Sequence, residues 1–199
     1  MITTRQRRSI WPRRIIFGLI AVLMLLAGAR WMTQPFQQRW LVVACVEGNV
    51  ERVRYLLLSG ADADARTDKG ITPLMFTSGW SNPFLMSAAE PERSPTLADI
   101  ASDVYDNYPT IADLLLEHGA HVNARTDEGS TALYWASQVG HEDLVRVLIE
   151  HGADLHANTI SDDTPLQAAQ ARRELSPEKF DRVIGVLKEA GARNRTPPW

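Results

Sequence analysis

Apolar residues in this chain fall into short stripes at helical spacing. In Val53-Arg54-Tyr55-Leu56-Leu57 and in Val145-Arg146-Val147-Leu148-Ile149 they recur three and four residues apart. That spacing places one apolar stripe on one face of a helix. The helices stop at Gly60, Gly119, Gly152 and Gly191, where a left-handed residue ends a helix at little cost. A shorter helix is predicted before each striped one. Thr72-Pro73-Leu74, Thr131-Ala132-Leu133 and Thr164-Pro165-Leu166 open these first helices. Thr is a good N-cap, and Pro in the first turn gives up a donor that has no helical partner there. Thr164 with Gln167 three residues on reads as a capping box. Gly48 and Gly140 close two of the first helices, and Asp68-Lys69-Gly70 and Asp127-Glu128-Gly129 supply turns. The pattern predicts an all-α chain of paired short helices.

The pairs repeat at a fixed step. Thr131-Ala132-Leu133 lies 33 residues before Thr164-Pro165-Leu166, and Leu41 lies 33 before Leu74. Thr72-Pro73-Leu74 lies 59 before Thr131-Ala132-Leu133, and the pairs Gly60-Ala61 and Gly119-Ala120 are also 59 apart. A step of 59 is one period carrying 26 extra residues. From Gly152-Ala153 to Gly191-Ala192 the step is 39, which implies a second insertion of about six. A unit this small has too little core to fold alone, so stacked neighbours must supply it.

These pieces resemble the ankyrin repeat family. The resemblance rests on the three Thr-x-Leu openings, Gly140-His141, and the endings Gly60-Ala61-Asp62, Gly119-Ala120-His121 and Gly152-Ala153-Asp154. The segments 64–70 and 123–129 look like the linking finger. It implies a solenoid of about four units over 39–195, divided as 39–71, 72–130, 131–163 and 164–195, with 196–199 as a tail. The chain departs from the family pattern where His usually follows the opening: Met75, Tyr134 and Gln167 stand there, which puts the Thr–His hydrogen bond in question. Asp162 replaces Gly70 and Gly129 in the last finger, and Lys188 stands where Leu57 and Ile149 are apolar, as suits a terminal unit facing water.

The front of the chain is different. Residues 1–14 carry Arg5, Arg7, Arg8, Arg13 and Arg14 and no acid, and Ile15 to Ala29 are fifteen apolar or Gly residues. As a helix that run spans about 22 Å, short of a hydrocarbon core of about 30 Å. Snorkelling by Arg30 extends it to Met32, with Trp11 and Trp31 as interface anchors. Ala27-Gly28-Ala29 fits a cleavage site, so the alternative to an anchor over 15–32 is a signal peptide removed after Ala29. The long Arg-rich front favours the anchor. Under either reading the arginines hold the N-terminus in the cytoplasm and the repeats cross the membrane. The expectation is a bacterial inner-membrane protein whose repeats face the periplasm, or a periplasmic one after cleavage.

Charge narrows the partners. Five of the 21 basic residues lie in the front, leaving sixteen against 24 acids in the rest. That acidic body argues against nucleic acid, whose phosphates need a basic surface. Cys45 is the single cysteine, so no internal disulfide forms, and its place in a first helix predicts a small buried side chain. His118 and His151 occupy equivalent positions before a helix-ending Gly, where His favours the helix C-terminus. A His118-x-x-His121 zinc pair has no third ligand at a convincing spacing. No phosphate loop or nucleophile motif is present, and no cofactor, metal or small-molecule substrate is expected.

The 26-residue insertion, about 79–106, is predicted to fall between the two helices of the second unit. It holds Trp80 and Phe84, and Ser94-Pro95 before Thr96–Ala101 reads as a short capped helix. Insertions in repeat proteins gather on one face, often the binding face. Its aromatics are partner anchors or pack back on the solenoid. The function expected is a non-catalytic protein-binding module. Its predicted contacts are Asp68, Lys69, Ile71, Asp127, Glu128, Ser130, Gln138 and Val139, with Trp80 and Phe84. The alternative is an enzyme using Glu90, Asp99, Asp103 and Asp106 in the insertion as a metal or acid–base site.

Overall fold

Three of the short first helices begin just after Thr72, Thr131 and Thr164. The computed structural model describes residues 37–79 and 95–193, the stretch 95–105 by its backbone alone. The Arg-rich front, the apolar run 15–32, Trp80 and Phe84 therefore lie outside the described residues. Helix α1 covers 37–46 and α2 Val50–Leu58. Helix α3 is Pro73–Thr77, α4 Pro95–Glu117, α5 Ala132–Val139 and α6 Glu142–Glu150. Helix α7 is Pro165–Ala171, and α8, Pro177–Glu189, follows a single 3-10 turn at Arg173–Leu175. No strand occurs among the described residues. Nor is any helix among them long and apolar enough to cross a membrane.

The caps differ from unit to unit. Thr164 forms the full capping box: its hydroxyl accepts the Gln167 N–H at 3.4 Å, and Gln167 Oε1 accepts the Thr164 N–H at 2.9 Å. Thr164 also donates its hydroxyl to Gln167 Oε1 at 2.9 Å, so Gln does the work of the family's His in this unit. Thr131 Oγ1 accepts the Tyr134 N–H at 3.3 Å. Thr72 is buried with no partner for its hydroxyl among the described residues, because Met75 offers none.

The second helices start where a polar cap stands. Asn49 Oδ1 accepts the Arg52 N–H at 3.0 Å and begins α2; His141 Nδ1 accepts the Leu144 N–H at 3.3 Å and begins α6. Tyr108 and Phe180 fill the equivalent positions in α4 and α8. Neither can accept such a bond at its ring, and both helices run further back, to Pro95 and Pro177. This corrects one expectation. Thr96–Ala101 is not a separate short helix but the start of the 23-residue α4. Pro109 sits inside α4 at the position that opens α2 and α6, so one helical hydrogen bond is missing there.

The helices pack in two rows. First helices α3, α5 and α7 stack in order, and second helices α2, α4, α6 and α8 stack beside them. Leu41, Leu74, Leu133 and Leu166, spaced by the repeat, are each at most 1% exposed and form one column of the core. Val53, Ala112, Val145 and Ile184 form a second, and Leu115, Leu148 and Leu187 a third. Tyr108 is buried over His141, with ring centroids 6.2 Å apart. Its hydroxyl donates to the Val46 carbonyl at 3.1 Å, and Asn107 Nδ2 donates to the Gly48 carbonyl at 3.1 Å. Both tie α4 to the turn after α1.

The linking fingers are tight hairpin turns. The N–H groups of Thr67, Thr126 and Thr159 donate to the carbonyls of Ile71, Ser130 and Asp163 at 3.0–3.1 Å. Successive fingers are joined through their backbones: Asp127 N–H to the Lys69 carbonyl at 3.2 Å, and Ile160 N–H to the Glu128 carbonyl at 2.9 Å. Asp162 takes the left-handed conformation of the glycines it replaces, with φ of 63° against 77° at Gly129. Below the fingers, Asp64 Oδ1 accepts the His121 N–H at 3.1 Å, and one unit on Asn123 Oδ1 accepts the Asp154 N–H at 2.7 Å.

Candidate protein-binding surface

Asp68 and Lys69 form the tip of the first finger, Asp127 and Glu128 that of the second, and all four are exposed. Ile71 and Ser130 are each 3% exposed. They stand at the base of their fingers, where each carbonyl closes the hairpin, so a partner would meet them only at the edge. Gln138 and Val139 are half-buried at the far end of α5, and the Val139 side chain lies against Gly79 of the preceding unit. The eight residues of α5 rise about 12 Å, which separates that pair from the fingers.

Glu128 and Ser130 do meet at one feature. They line a cleft of about 310 Å³ together with Tyr134, Trp135, Thr159, Ile160, Ser161 and Asp163. One wall is the start of α5 and the other is the third finger. Tyr134 and Trp135 stand edge to face, centroids 5.4 Å apart at 87°. Ile160, at the third finger tip, is 78% exposed. Burial raises the Tyr134 phenol above its usual pKa; the carboxylates of Asp163 and Glu128 add to that rise, while Arg172 opposes it. The six residues other than Glu128 and Ser130 escaped the sequence reading. The repeat period does point to two of them, since Ile160 and Ser161 lie 33 residues after Asp127 and Glu128.

The side chains of His118, His141 and His151 each make a contact within the stack. His118 Nδ1 lies 2.8 Å from the Leu114 carbonyl, within its own helix end, as its position predicts. His151, at the equivalent site, instead pairs with Asp113 of the preceding unit through Nε2 at 2.9 Å. His121 is 4.0 Å from Asp64. Among the described residues no three His, Cys, Asp or Glu side chains are grouped to hold a metal. Of the acids expected to serve an enzyme, Asp106 is exposed, and the side chains of Glu90, Asp99 and Asp103 lie outside the described residues. Cys45 is buried, and its thiol is pushed well above the ordinary range by desolvation.

Two family models match this chain, one for ankyrin repeats in three copies over residues 99–176 and one for a single ankyrin repeat over 41–68. The chain belongs to the ankyrin repeat family. This ankyrin repeat protein is similar to the B-cell lymphoma 3 protein homolog of Mus musculus, 37% identical over 151 residues. It also resembles Cortactin-binding protein 2 of Atelerix albiventris, 35% identical over 90 residues. The first match covers 76% of this chain and 26% of the relative; the second covers 43% and 5%. The ankyrin chain thus spans about a quarter of one relative's length and a twentieth of the other's.

Proposed function

We propose that this ankyrin repeat protein is a non-catalytic interaction module that receives a protein partner on its fingers and first helices. The observation that carries this reading is the cleft beside α5, where an aromatic pair, two acids and an exposed Ile meet on the finger side. None of these side chains belongs to the three buried columns that hold the stack together. The relative named for binding cortactin is itself a partner-binding protein, which suits the class without naming a partner here. The test is affinity capture with the full chain as bait, compared with Tyr134→Ala and with the distant surface change Glu150→Ala. Loss of a specific partner with the first variant alone supports the reading. Equal capture by all three baits places the binding surface elsewhere.

The same reading extends to location. The five front arginines and the apolar run support a membrane anchor over 15–32 with the repeats on the extracytoplasmic side. A reporter active only outside the cytoplasm, fused after Trp199, is expected to be active. Activity of a cytoplasm-only reporter at that point would overturn the topology. Mass spectrometry of the mature N-terminus separates the versions: a chain starting at Arg30 was cleaved, and an intact front is an anchor.

A further inference from the structure

We propose that the cleft between α5 and the third finger takes a cationic side chain, Arg or Lys, from an extended basic segment of a protein partner. The inference rests on the interaction reading above and adds the chemistry of what is bound.

Three observations converge. First, the cleft is small. At about 310 Å³ it stands at the lower limit of small-ligand sites, which run from about 300 to 1,000 Å³. It suits one protruding side chain rather than a large cofactor. Second, its walls have the right electronics. Tyr134 and Trp135 present aromatic surface, whose faces attract a cation held within about 6 Å. Third, its charge is negative and available. Glu128 and Asp163 both line it, no Lys or Arg does, and neither acid forms a salt bridge among the described residues. Elsewhere on the stack acids are paired, as Glu142 is with Arg146 in its own helix and with Arg182 in the next unit. The nearby basic groups do not fill the site. Arg125 is held by the Asn158 carbonyl, and Arg172 acts on Tyr134 from outside the lining.

The occupant is argued from charge complementarity. A neutral apolar segment would bury Glu128 and Asp163 without compensation, and an acidic one would be repelled. A basic segment satisfies both acids while its aliphatic stem covers Ile160 and the ring edges. The excess of acids over bases in the chain beyond residue 14 steers such a segment from a distance.

The test uses the full chain in mild non-ionic detergent and three fluorescent octapeptides read by anisotropy: alternating Arg-Gly, citrulline-Gly and Glu-Gly. Binding of the Arg peptide alone, weakening with salt, is expected. The pair Glu128→Gln with Asp163→Asn should weaken it about fivefold, in line with two partly exposed ion pairs. Tyr134→Leu keeps an apolar wall but removes the ring, and should weaken it about threefold. The control Glu150→Gln with Glu189→Gln changes net charge equally, away from the cleft, and should leave affinity within twofold. Equal weakening by the control pair, or equal binding of the citrulline peptide, overturns the proposal. Binding that appears only after the five front arginines are changed to Gln also overturns it, since the chain's own front would then be the occupant. If the peptides fail while Tyr134→Ala still abolishes partner capture, the cation assignment falls and the interaction reading stands.

Discussion

The finger turns show how far one residue's backbone decides what the position tolerates. Gly129 has φ of 77°, and a methyl added there would meet the Asn158 carbonyl at 3.1 Å and Thr159 Cα at 3.3 Å. Both are backbone atoms of the next finger and cannot turn aside. Gly152 has φ of 81°, with nothing within 4 Å of such a methyl. A left-handed L-residue costs roughly 1–2 kcal/mol by itself. Gly152→Ala should therefore cost about 1 kcal/mol, and Gly129→Ala clearly more, because the fingers must also move apart. Denaturant midpoints of the two variants check this; equal shifts would show that finger contact adds nothing. Asp162 bears the same conformation without a glycine, its carboxylate accepting from Asn158 Nδ2 at 2.5 Å. Cys45 gives a second expectation at this scale. A thiol that is fully buried and desolvated has almost no thiolate at neutral pH. Alkylation by iodoacetamide should be negligible in the folded chain and complete in denaturant. Rapid labelling of the folded chain would mean that α1 opens readily.

Elements were legible in the sequence wherever their signals were local. The Thr caps and the apolar stripes located the helix pairs because each signal lies within one turn of the residues it organises. The lengths of α4 and α8 were not legible, because they depend on what is missing. Tyr108 and Phe180 stand where Asn49 and His141 would have started a new helix. Tyr108 itself was invisible as an anchor, since its hydrogen bond reaches 62 residues back to Val46. The cleft was half legible: Glu128 and Ser130 are motif residues, but Asp163 and Ile160 come from the next unit's finger. Packing at this scale gives a sharp contrast. Leu133 is 1% exposed between Leu74 and Leu166 of the flanking first helices, while Glu128 is exposed on a finger. Leu133→Ala should cost roughly 2–5 kcal/mol and Glu128→Ala within about 0.5 kcal/mol. Similar unfolding midpoints would mean that the Leu column is not a continuous core.

At the scale of the whole molecule the insertion is separable from the stack. Residues 109–117 of α4 align with Glu142–Glu150, the whole of α6, so the repeat needs nothing of α4 before Pro109 to match its neighbour. The side chains that lock α4 to the first unit, Asn107 and Tyr108, lie just beyond the inserted stretch. Replacing residues 80–105 with a short turn keeps both locks and the buried Ile111 and Leu115. Pro109 would then open a second helix, where its missing N–H costs nothing. The shortened chain should therefore keep the circular-dichroism signal of the remaining helices and unfold in one cooperative step. Its neighbours still bury the same columns, and a stack of this kind owes its cooperativity to those interfaces. If binding runs through the α5 cleft, partner capture should also survive the deletion. Loss of folding would make the insertion a brace for the stack. Retained folding with lost capture would move the binding surface into residues 80–105, with Trp80 and Phe84 the first side chains to replace.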